Sequence, residues 1–493
     1  MSAFEKRHRL AQLALLTALF ALPGFILLRT SQAGDADLWW HLRTGQWILA
    51  HRAVPQTDPF SAYGAGKPWA AYSWLFEILI YGLYWKWRIA GTVVYTAGML
   101  TAIAASLYGA LRRQSADFVL TAVLAIVCLD ALSPLFTPRP WLFTLLIYIY
   151  EIAILMDARA TGRRRGLYFL PLLFAVWANI HIEFVVGLLI LGLAAAEPLA
   201  ERWWPQKHTH LRSSTLWPIF AACVLATFIN PYGWRIYSIA YQLADMPAAA
   251  NLISEMSALS FRAYTDFVLL FLTLFCVAAL AWNRRAAFFE VATLAFAIVV
   301  TFRTQRELYL LAVFAVVLLA SVLPAADQAP GAPSTLSLPG IAAASGLLVW
   351  IIAICLHIDN ARYDNDLAQH MPVRAVVAIK AGHYRGPLFN TYDWGGYLIW
   401  DLRLPVSVDG RAAIYGDSFL MRNASTWNAG PNWRTDPELA SAGIVLGAVD
   451  LPLTQVLRLD PRFKLIYEDK LAAIFVQKKL QGMADSTASC PSR

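Results

Sequence analysis

The chain has 493 residues and a formal net charge of +8; 58% of its residues are hydrophobic and only 15% are charged. Its mean hydropathy of +0.51 is too high for a soluble globular protein of this length, so the composition indicates a polytopic membrane protein. The positive charge does not indicate nucleic-acid binding, because the basic clusters are short and recur between apolar runs.

Apolar runs long enough to cross a bilayer dominate the first 356 residues. A span needs roughly 20 apolar residues to cross a hydrocarbon core of about 30 Å. The clearest runs are 10–28, 90–111, 117–134, 183–199, 265–282, 306–323 and 338–356, and shorter ones are 140–157, 167–180, 215–230 and 286–302. The sequence therefore predicts a mainly α, polytopic transmembrane fold with about eleven spans, within a range of about ten to thirteen. The first run lacks a convincing cleavage site, so we expect a retained helix.

A polar and aromatic motif, "GDADLWWHLRTGQW" at 34–47, follows the first predicted span. A bilayer disfavours ionisable groups unless they face a protein interior or a wet cavity, so the motif indicates a site. Its candidate residues are Asp35, Asp37, Trp39, His41 and Arg43. Asp35 and Asp37 are also candidate oxygen ligands for a divalent cation, although two carboxylates at this spacing are common. Trp40 is interpreted as an interfacial anchor.

Whether the segment "SWLFEILIYGLYWKW" (73–87) crosses the membrane decides on which side of the membrane the later loops are predicted to lie. It is short for a span, so we expect an interfacial or re-entrant helix. The basic clusters between the spans are then cytoplasmic; they are Lys6, Arg7 and Arg9; Arg112 and Arg113; Arg163, Arg164 and Arg165; Lys207 and Arg212; Arg284 and Arg285. This predicts a multi-pass protein of the plasma membrane with a cytoplasmic N-terminus, and with the loop 30–89 and everything after about 357 outside.

Further polar groups fall at predicted outer turns of later spans. They are Arg139 in "FTPRPW", His181 in "WANIHIEF", Asn230 in "FINPYG", Glu255, and Arg303 and Arg306 in "FRTQRE". Each has a structural alternative: the Pro-rich and Asn-Pro turns are also helix breaks, and an isolated histidine is commonly a satisfied core residue. Their convergence on one side of the membrane indicates a site.

The composition changes after the last span, where charge rises and short β-rich runs alternate with helical ones. We predict a transmembrane domain over 1–356, a small extracytoplasmic α/β domain over 357–479 and a disordered tail over 480–493. Expected strands are 386–390, 405–410, 443–449, 463–469 and 471–477, with helices at 372–382 and 451–460. Candidate acceptor-binding residues, expected to be exposed, are Asp393, Trp394, Asp409 and Arg411, with structural turns as the alternative.

Several common chemistries have no motif in the chain. It contains no HExxH, no cysteine pair at ligand spacing, no GxxxxGK[ST] and no GxSxG. Its acidic motif, outer arginines and tryptophans are instead the groups that glycosyl transfer from a lipid phosphate needs. A carboxylate takes the acceptor proton, and arginine binds the anionic leaving group, so no general acid is required. Tryptophan offers flat apolar faces to sugar rings or polyprenyl chains.

The motifs "DADLWWHLRTGQW", "PRPWLF", "WANIH", "INPYG" and "FRTQRE", with the later "FNTYDWGGYLIW" and "VDGRAAIYG", resemble those of GT-C superfamily membrane glycosyltransferases. More narrowly, the chain resembles bacterial relatives of protein mannosyltransferases. The resemblance implies a catalytic acidic residue in the first outer loop, which falls on Asp37 or Asp35. Asp37 is favoured because it leads the "DLWWH" core. Candidate donor phosphate or sugar contacts are Trp39, His41, Arg43, Arg139, His181, Arg303 and Arg306.

The leading hypothesis is an integral-membrane hexosyl or pentosyl transferase that uses a polyprenyl-phosphate sugar in the lipid bilayer. Its acceptor is a glycan, lipid or protein on the outer face, a divalent cation is the only candidate cofactor, and no nucleic acid is involved. A transporter or flippase is the alternative, with Asn179, His181 and Glu183 as a path. It predicts essential polar groups on both sides of the membrane and two related halves. A non-catalytic glycan-binding relative is the third hypothesis.

Overall fold

A computed structural model describes residues 3–29, 34–200, 203–204, 209–283, 286–323, 344, 347–348, 360–384 and 386–478. The chain divides into two compact units. The bundle unit comprises 1–30, 92–240 and 253–357, and the sheet unit comprises 31–91, 241–252 and 358–493. The predicted tail at 480–493 lies outside the described residues.

The described elements are mainly helices. Those of the first half are α1 Ala3–Arg29, α2 Ala36–His51, α3 Trp74–Trp87, α4 Ile89–Gln114, α5 Phe118–Ala131, α6 Trp141–Thr161, α7 Leu170–Trp177, α8 Phe184–Ala200, α9 Ser213–Thr227, α10 Arg235–Ala244 and α11 Pro247–Leu252. Those of the second half are α12 Tyr264–Asn283, α13 Phe288–Arg303, α14 Leu308–Val322, α15 Asn360–His370, α16 Val373–Ala381, α17 Tyr392–Asp401, α18 Asp417–Trp427, α19 Pro437–Ser441 and α20 Pro452–Leu457. The strands are β1 Leu388–Asn390, β2 Ile444–Ala448, β3 Phe463–Glu468 and β4 Ala472–Gln477.

Helix α14 forms the centre of the bundle unit. Every residue from Leu308 to Ala320 is buried, and α5, α6, α12 and α13 pack around it. A helix that is apolar on all sides is stable when other helices or lipid surround it. The outer helices instead expose apolar side chains. In α12, for example, Phe275 is exposed, and the side chain of Trp282 is 92% exposed. Such a surface suits lipid, and the protein is a multi-pass membrane protein.

Five described helices are long and apolar enough to cross a membrane. They are Leu10–Leu27 within α1, α4, α6, Tyr264–Trp282 within α12, and Gln305–Val322, which includes α14. Each coincides with a predicted span. Four further predicted spans correspond to shorter apolar helices, namely α5, Leu167–Trp177, α8 and α9, and the predicted span 286–302 corresponds to α13. Most of the predicted span 338–356 lies outside the described residues, so the count of about eleven stays a prediction.

Helix α3 is the segment that was expected not to cross. Its 14 residues give a length of about 21 Å, which is less than a bilayer core of about 30 Å. One side is buried through Phe76 and Ile80, whereas Trp85 on the other side is 76% exposed. The length agrees with an interfacial helix, and its place relative to the membrane stays a prediction.

The sheet unit contains a four-stranded mixed sheet in the order β1-β2-β4-β3. β1 and β2 are parallel, and the β2–β4 and β4–β3 pairs are antiparallel. Phe389, Val445 and Phe475 lie side by side across the first three strands, and Trp427 of α18 stacks on Phe389 at 5.1 Å. These apolar contacts form the core beneath the sheet. The strands predicted at 386–390, 443–449, 463–469 and 471–477 are confirmed.

The strand predicted at 405–410 is wrong. Its alternating sequence suits a strand, but Val406 makes only an isolated bridge, with Ser61. The side chain of Asn390 donates to the carbonyl of Val408 at 2.8 Å and accepts from the amide of Ser407 at 2.9 Å. The backbone N–H and C=O groups of this segment, which a neighbouring strand would otherwise pair, are thus bound by the side chain of Asn390 and by the loop after α2.

Helix α2 packs against both α3 and α17. A Cβ at Gly396 in α17 would lie 2.5 Å from the carbonyl oxygen of Ala36, so glycine is required for this approach. The segment after the first helix and the C-terminal segment therefore pack together although more than 300 residues separate them. The functional domain limits proposed at 356 and 479 stay predictions.

Candidate active site

Asp35 caps the N-terminus of α2. Its Oδ1 accepts hydrogen bonds from the amides of Asp37 at 2.9 Å and Leu38 at 3.3 Å. An aspartate in this position satisfies amides that the helix cannot pair itself. Asp37, the other candidate of the pair, is half-buried in the first turn of α2. Among the described residues, no three His, Cys, Asp or Glu side chains form a set that could hold a metal.

The carboxylate of Asp37 lies against the backbone of Gly410. A Cβ at position 410 would be 1.9 Å from Asp37 Oδ1 and 3.2 Å from Trp40 Nε1, so a side chain there would displace both groups. Trp40 Nε1 is buried and has no hydrogen-bond partner among the described residues. A buried N–H without a partner costs free energy unless a ligand or water accepts from it. An acceptor and an available donor therefore converge beside Gly410.

The interpretation of Trp40 as a membrane-surface anchor is wrong. The side chain is 7% exposed, its ring lies 3.6 Å from that of His41, and it contacts the edge of Trp69. The reason is that the loop after α2 folds back over this face of the helix. Trp39 is 1% exposed and makes edge contacts to Tyr84 and Tyr397.

His41 is held by a glutamate that sequence reasoning did not identify. Its Nδ1 lies 3.3 Å from Oε1 of Glu77, and both side chains are buried. Burial raises the pKa of Glu77 well above its ordinary value, against a smaller lowering by Arg411. The signal available in the sequence was a single acidic residue in the apolar helix α3. Six residues after Asp37 in the same helix, Arg43 donates to Gln46 and lies 5.8 Å over the ring of Phe60.

Arg411 joins the loop after α2 to the C-terminal segment. Its Nη1 donates to Asp58 Oδ1 at 2.7 Å, and its Nε and Nη2 donate to the two oxygens of Asp409 at 2.8 and 2.7 Å. The guanidinium lies 4.6 Å over the ring of Trp69, and Tyr415 donates to Asp409. Burial alone would raise the pKa of Asp409, but the charge and hydrogen bonds of Arg411 lower it below the ordinary value.

The expected exposure of the acceptor-binding candidates is wrong for three of the four. Asp409 is 0%, Arg411 5% and Trp394 6% exposed, and Trp394 donates to the carbonyl of His370. Asp393 is exposed as expected. The reason is that Asp409 and Arg411 form a paired network inside the sheet unit, which the turn-like sequence around them did not reveal.

In the bundle unit, Trp141 brings two of the predicted arginines together. The guanidiniums of Arg139 and Arg306 lie 4.6 and 5.9 Å from the centre of its ring. Arg139 also donates to both oxygens of Glu255 at 3.1 Å. Stacking on an indole and pairing with a carboxylate fix the plane of a guanidinium. Arg303, in the last turn of α13, is exposed.

His181 contacts Arg306 directly. Arg306 Nη2 donates to His181 Nε2 at 3.1 Å, and His181 Nδ1 lies 2.9 Å from the hydroxyl of Thr144. This pattern assigns the proton to Nδ1. Burial and the charge of Arg306 hold the pKa of His181 well below its usual value, so it stays neutral and accepts from the guanidinium. Glu183 lies 3.9 Å from Arg306.

The two asparagines near these turns have structural roles. Asn179 donates to the carbonyls of Ala175 and Ile229, which ties the end of α7 to the turn after α9. Asn230 accepts from the amide of Tyr232 and donates to two carbonyls within the same turn. The turn alternative is therefore confirmed for Asn230.

No protein-family profile matches the sequence, and no curated protein matches it. Among solved structures, the archaeal oligosaccharyltransferase AglB of Archaeoglobus fulgidus, in complex with an inhibitory peptide and a dolichol-phosphate, has a TM-score of 0.52 at 12% identity. That match covers 91% of this chain and 70% of AglB.

Two further structures align less closely. ArnT of Cupriavidus metallidurans, bound to undecaprenyl phosphate, has a TM-score of 0.49 at 13% identity over 94% of this chain and 97% of its own. The apo oligosaccharyltransferase of A. fulgidus has a TM-score of 0.47 at 12% identity over 91% and 70%. The predicted resemblance to GT-C membrane glycosyltransferases is confirmed at the level of the fold.

Proposed function

We propose that this protein is an integral-membrane glycosyltransferase that moves a sugar from a polyprenyl-phosphate donor to an acceptor hydroxyl on the outer face of the plasma membrane. The observation that carries the proposal is the convergence of the Asp37 carboxylate and the Trp40 N–H beside Gly410. The fold supports it, because AglB, whose fold is similar, was solved with a lipid phosphate, dolichol-phosphate.

The chemistry assigned to Asp37 is general-base catalysis. Its carboxylate accepts the proton of the acceptor hydroxyl while the hydroxyl oxygen attacks the anomeric carbon of the donor sugar. The bond between that carbon and the phosphate oxygen breaks, and the phosphate leaves with the electron pair. Trp40 donates its N–H to the same hydroxyl oxygen, which would orient the attacking lone pair. A glycan, a lipid and a protein each offer such a hydroxyl, so the proposed acceptor belongs to one of these three classes.

Several neighbours are proposed to position this site. His41 lies one helical turn after Asp37, and Glu77 fixes the orientation of its ring. Asp409 and Arg411 flank Gly410 in the chain and are buried in a saturated network. They therefore hold Gly410 in place, and we assign them this positioning role in preference to direct acceptor contact.

The donor phosphate is assigned to Arg139 and Arg306. Arginine binds phosphate through two parallel hydrogen bonds and keeps its charge at a site of low dielectric constant. Trp141, Glu255 and His181 hold the two guanidiniums in defined planes. The side chain of Glu255 is 30% exposed, so a phosphate could replace it as the counter-ion of Arg139.

Removing either arginine should weaken donor binding. We expect Arg139→Ala and Arg306→Ala to lower affinity for a polyprenyl-phosphate sugar by about 10- to 100-fold, the scale of a lost charge-assisted hydrogen bond. The measurement is binding of the labelled donor to purified protein, with the exposed Arg262→Ala as the matched control. Normal binding and turnover in a folded Arg139→Ala variant would reassign Arg139 to a structural ion pair with Glu255.

The transporter alternative would be favoured by polar groups available at both ends of the bundle. A second charged cluster does lie at the far end of α6, where Arg159 donates twice to Glu197 at 2.6 Å and lies 3.8 Å from Glu290. All three side chains are buried. Because they pair with one another, a structural role explains them, and we retain the transferase proposal.

The proposed orientation is tested by reporter fusions at Arg113, Arg164 and Lys478. Following the positive-inside rule, we expect cytoplasmic signals at Arg113 and Arg164 and an outer signal at Lys478. An inner signal at Lys478 would contradict the proposed number of crossings and would make 73–87 a true span.

A further inference from the structure

A polyprenyl carrier can hold its sugar through one phosphate group or through two. A sugar linked through one phosphate is a phosphodiester with a single negative charge, whereas one linked through a diphosphate carries two negative charges at neutral pH. A binding site favours the ligand whose charge complements its own. The charged groups around Arg139 and Arg306 in the bundle unit therefore bear on which class of carrier is bound.

Each of these two arginines already has a glutamate as its counter-ion. Arg139 Nη1 lies 3.1 Å from both carboxylate oxygens of Glu255, and Arg306 Nε lies 3.9 Å from Oε1 of Glu183. His181, which also contacts Arg306, is held neutral and adds no charge. These paired groups therefore carry no surplus positive charge before a donor binds.

The two glutamates differ in their access to water. The side chain of Glu255 is 30% exposed, whereas that of Glu183 is 13% exposed. A carboxylate that reaches water stays solvated when it leaves its partner, but a buried carboxylate that loses its cation is strongly destabilised. An incoming phosphate therefore replaces Glu255 at Arg139, while Glu183 stays beside Arg306.

Two charged residues close to Arg306 in the chain do not reverse this balance. Glu307 is a further acid, and its Oε2 is buried without a hydrogen-bond partner among the described residues. Arg303 is exposed, so water and salt screen its charge. Displacement of Glu255 thus releases one positive charge, and a second negative charge on the ligand would lie beside the carboxylate of Glu183.

Given that Arg139 and Arg306 hold the donor phosphate, as in the proposed function, we infer that the site selects a lipid phosphodiester with one negative charge over a lipid diphosphate with two, and that Glu183 sets this selectivity. Two like charges repel strongly where little water screens them. Specificity of this kind comes from an unfavourable contact with the wrong ligand. Glu183 therefore contributes by excluding the more highly charged carrier.

The test compares two carriers that differ only in the number of phosphate groups, undecaprenyl methyl phosphate and undecaprenyl methyl diphosphate, each labelled in its methyl group. The methyl group replaces the sugar, so the result does not depend on which sugar the protein uses. The full-length protein in lipid nanodiscs should bind the monophosphate at least about tenfold more tightly. Equal affinity, or tighter binding of the diphosphate, would contradict the inference.

Glu183→Gln removes the excluding charge and nearly keeps the shape of the side chain. It should strengthen binding of the diphosphate by about tenfold and narrow the preference to about threefold or less. The matched control is Asp157→Asn, which removes a negative charge about 24 Å along α6 from Trp141 and should leave the preference unchanged. A preference that persists in Glu183→Gln, or that Asp157→Asn also removes, would show that Glu183 does not set it.

The same measurement separates failure of this selectivity from failure of the proposed function. If both carriers bind equally and Arg306→Ala weakens both, the arginines hold the phosphate but Glu183 does not discriminate. If neither carrier binds, or if Arg139→Ala and Arg306→Ala leave binding of both carriers unchanged, the proposed donor site is wrong and the selectivity assigned to Glu183 falls with it.

Discussion

Replacing Asp37 by asparagine is expected to slow sugar transfer by about 100- to 10,000-fold, because the variant cannot accept the proton of the acceptor hydroxyl. Asparagine has nearly the same shape, so the contact with Gly410 should persist and both folding and donor binding should stay largely intact. The measurement follows labelled sugar from polyprenyl phosphate to acceptor with purified protein. Near-normal transfer would remove Asp37 from the chemistry.

Two neighbouring substitutions sharpen this experiment. Asp35→Asn should have a smaller effect, because asparagine caps a helix as well as aspartate does. Trp40→Phe keeps an aromatic side chain, although a smaller one, and loses the N–H, so we expect about a tenfold loss of acceptor turnover with donor binding unchanged. Full activity in Asp37→Asn with loss in Asp35→Asn would move the base two residues upstream. Full activity in both would favour the transporter or the glycan-binding alternative.

Much of the fold could be predicted because it follows from local patterns. Long apolar runs predicted the five long helices that the structure describes, and short β-rich runs predicted four strands of the sheet. The failure at 405–410 shows the limit of such patterns, since the alternation there is that of a strand. Whether a segment joins a sheet depends on a partner strand, and here the side chain of Asn390 takes the backbone groups instead.

The candidate site was less predictable because its contacts join distant parts of the chain. Arg411 and Asp58 are 353 positions apart, so a single sequence gives no sign that they pair. The same separation explains the wrong interpretation of Trp40, whose burial depends on a loop and a C-terminal helix folding against α2. The sequence allowed single ionisable residues at turns to be identified. That Glu77 contacts His41, and that Trp141 lies against Arg139 and Arg306, could be seen only in the structure.

These contacts explain the residue types at the start of the motif "VDGRAAIYG". Gly410 leaves room for the Asp37 carboxylate, and the residues on either side of it are buried and paired. A buried arginine between two carboxylates contributes little net stability compared with apolar residues of the same volume, but loss of one partner leaves an uncompensated charge. Arg411 should therefore be the charged residue of the sheet unit whose removal destabilises it most.

Arg411→Met is expected to destabilise the folded protein by about 3 to 5 kcal/mol at neutral pH, since the carboxylates of Asp58 and Asp409 would stay buried without their cation. Thermal unfolding in detergent measures this loss. The matched control is Arg458→Met, which removes a pair to Glu468 whose two side chains are 29% and 38% exposed and should cost far less, because exposed ion pairs contribute little to stability.

The pH dependence of the Arg411→Met variant separates a lost charge pair from lost packing. In the native protein the pKa of Asp409 is lowered, so its contribution to stability is present above the unfolded pKa of about 3.9 and is lost only as the pH falls through the lower folded value. In the variant, burial without the cation raises the pKa of Asp409. Stability is then greatest at low pH and falls as the pH rises through the raised value. We therefore expect the deficit of the variant to shrink between pH 8 and pH 5, and a deficit that is the same at both values would assign Arg411 to packing alone.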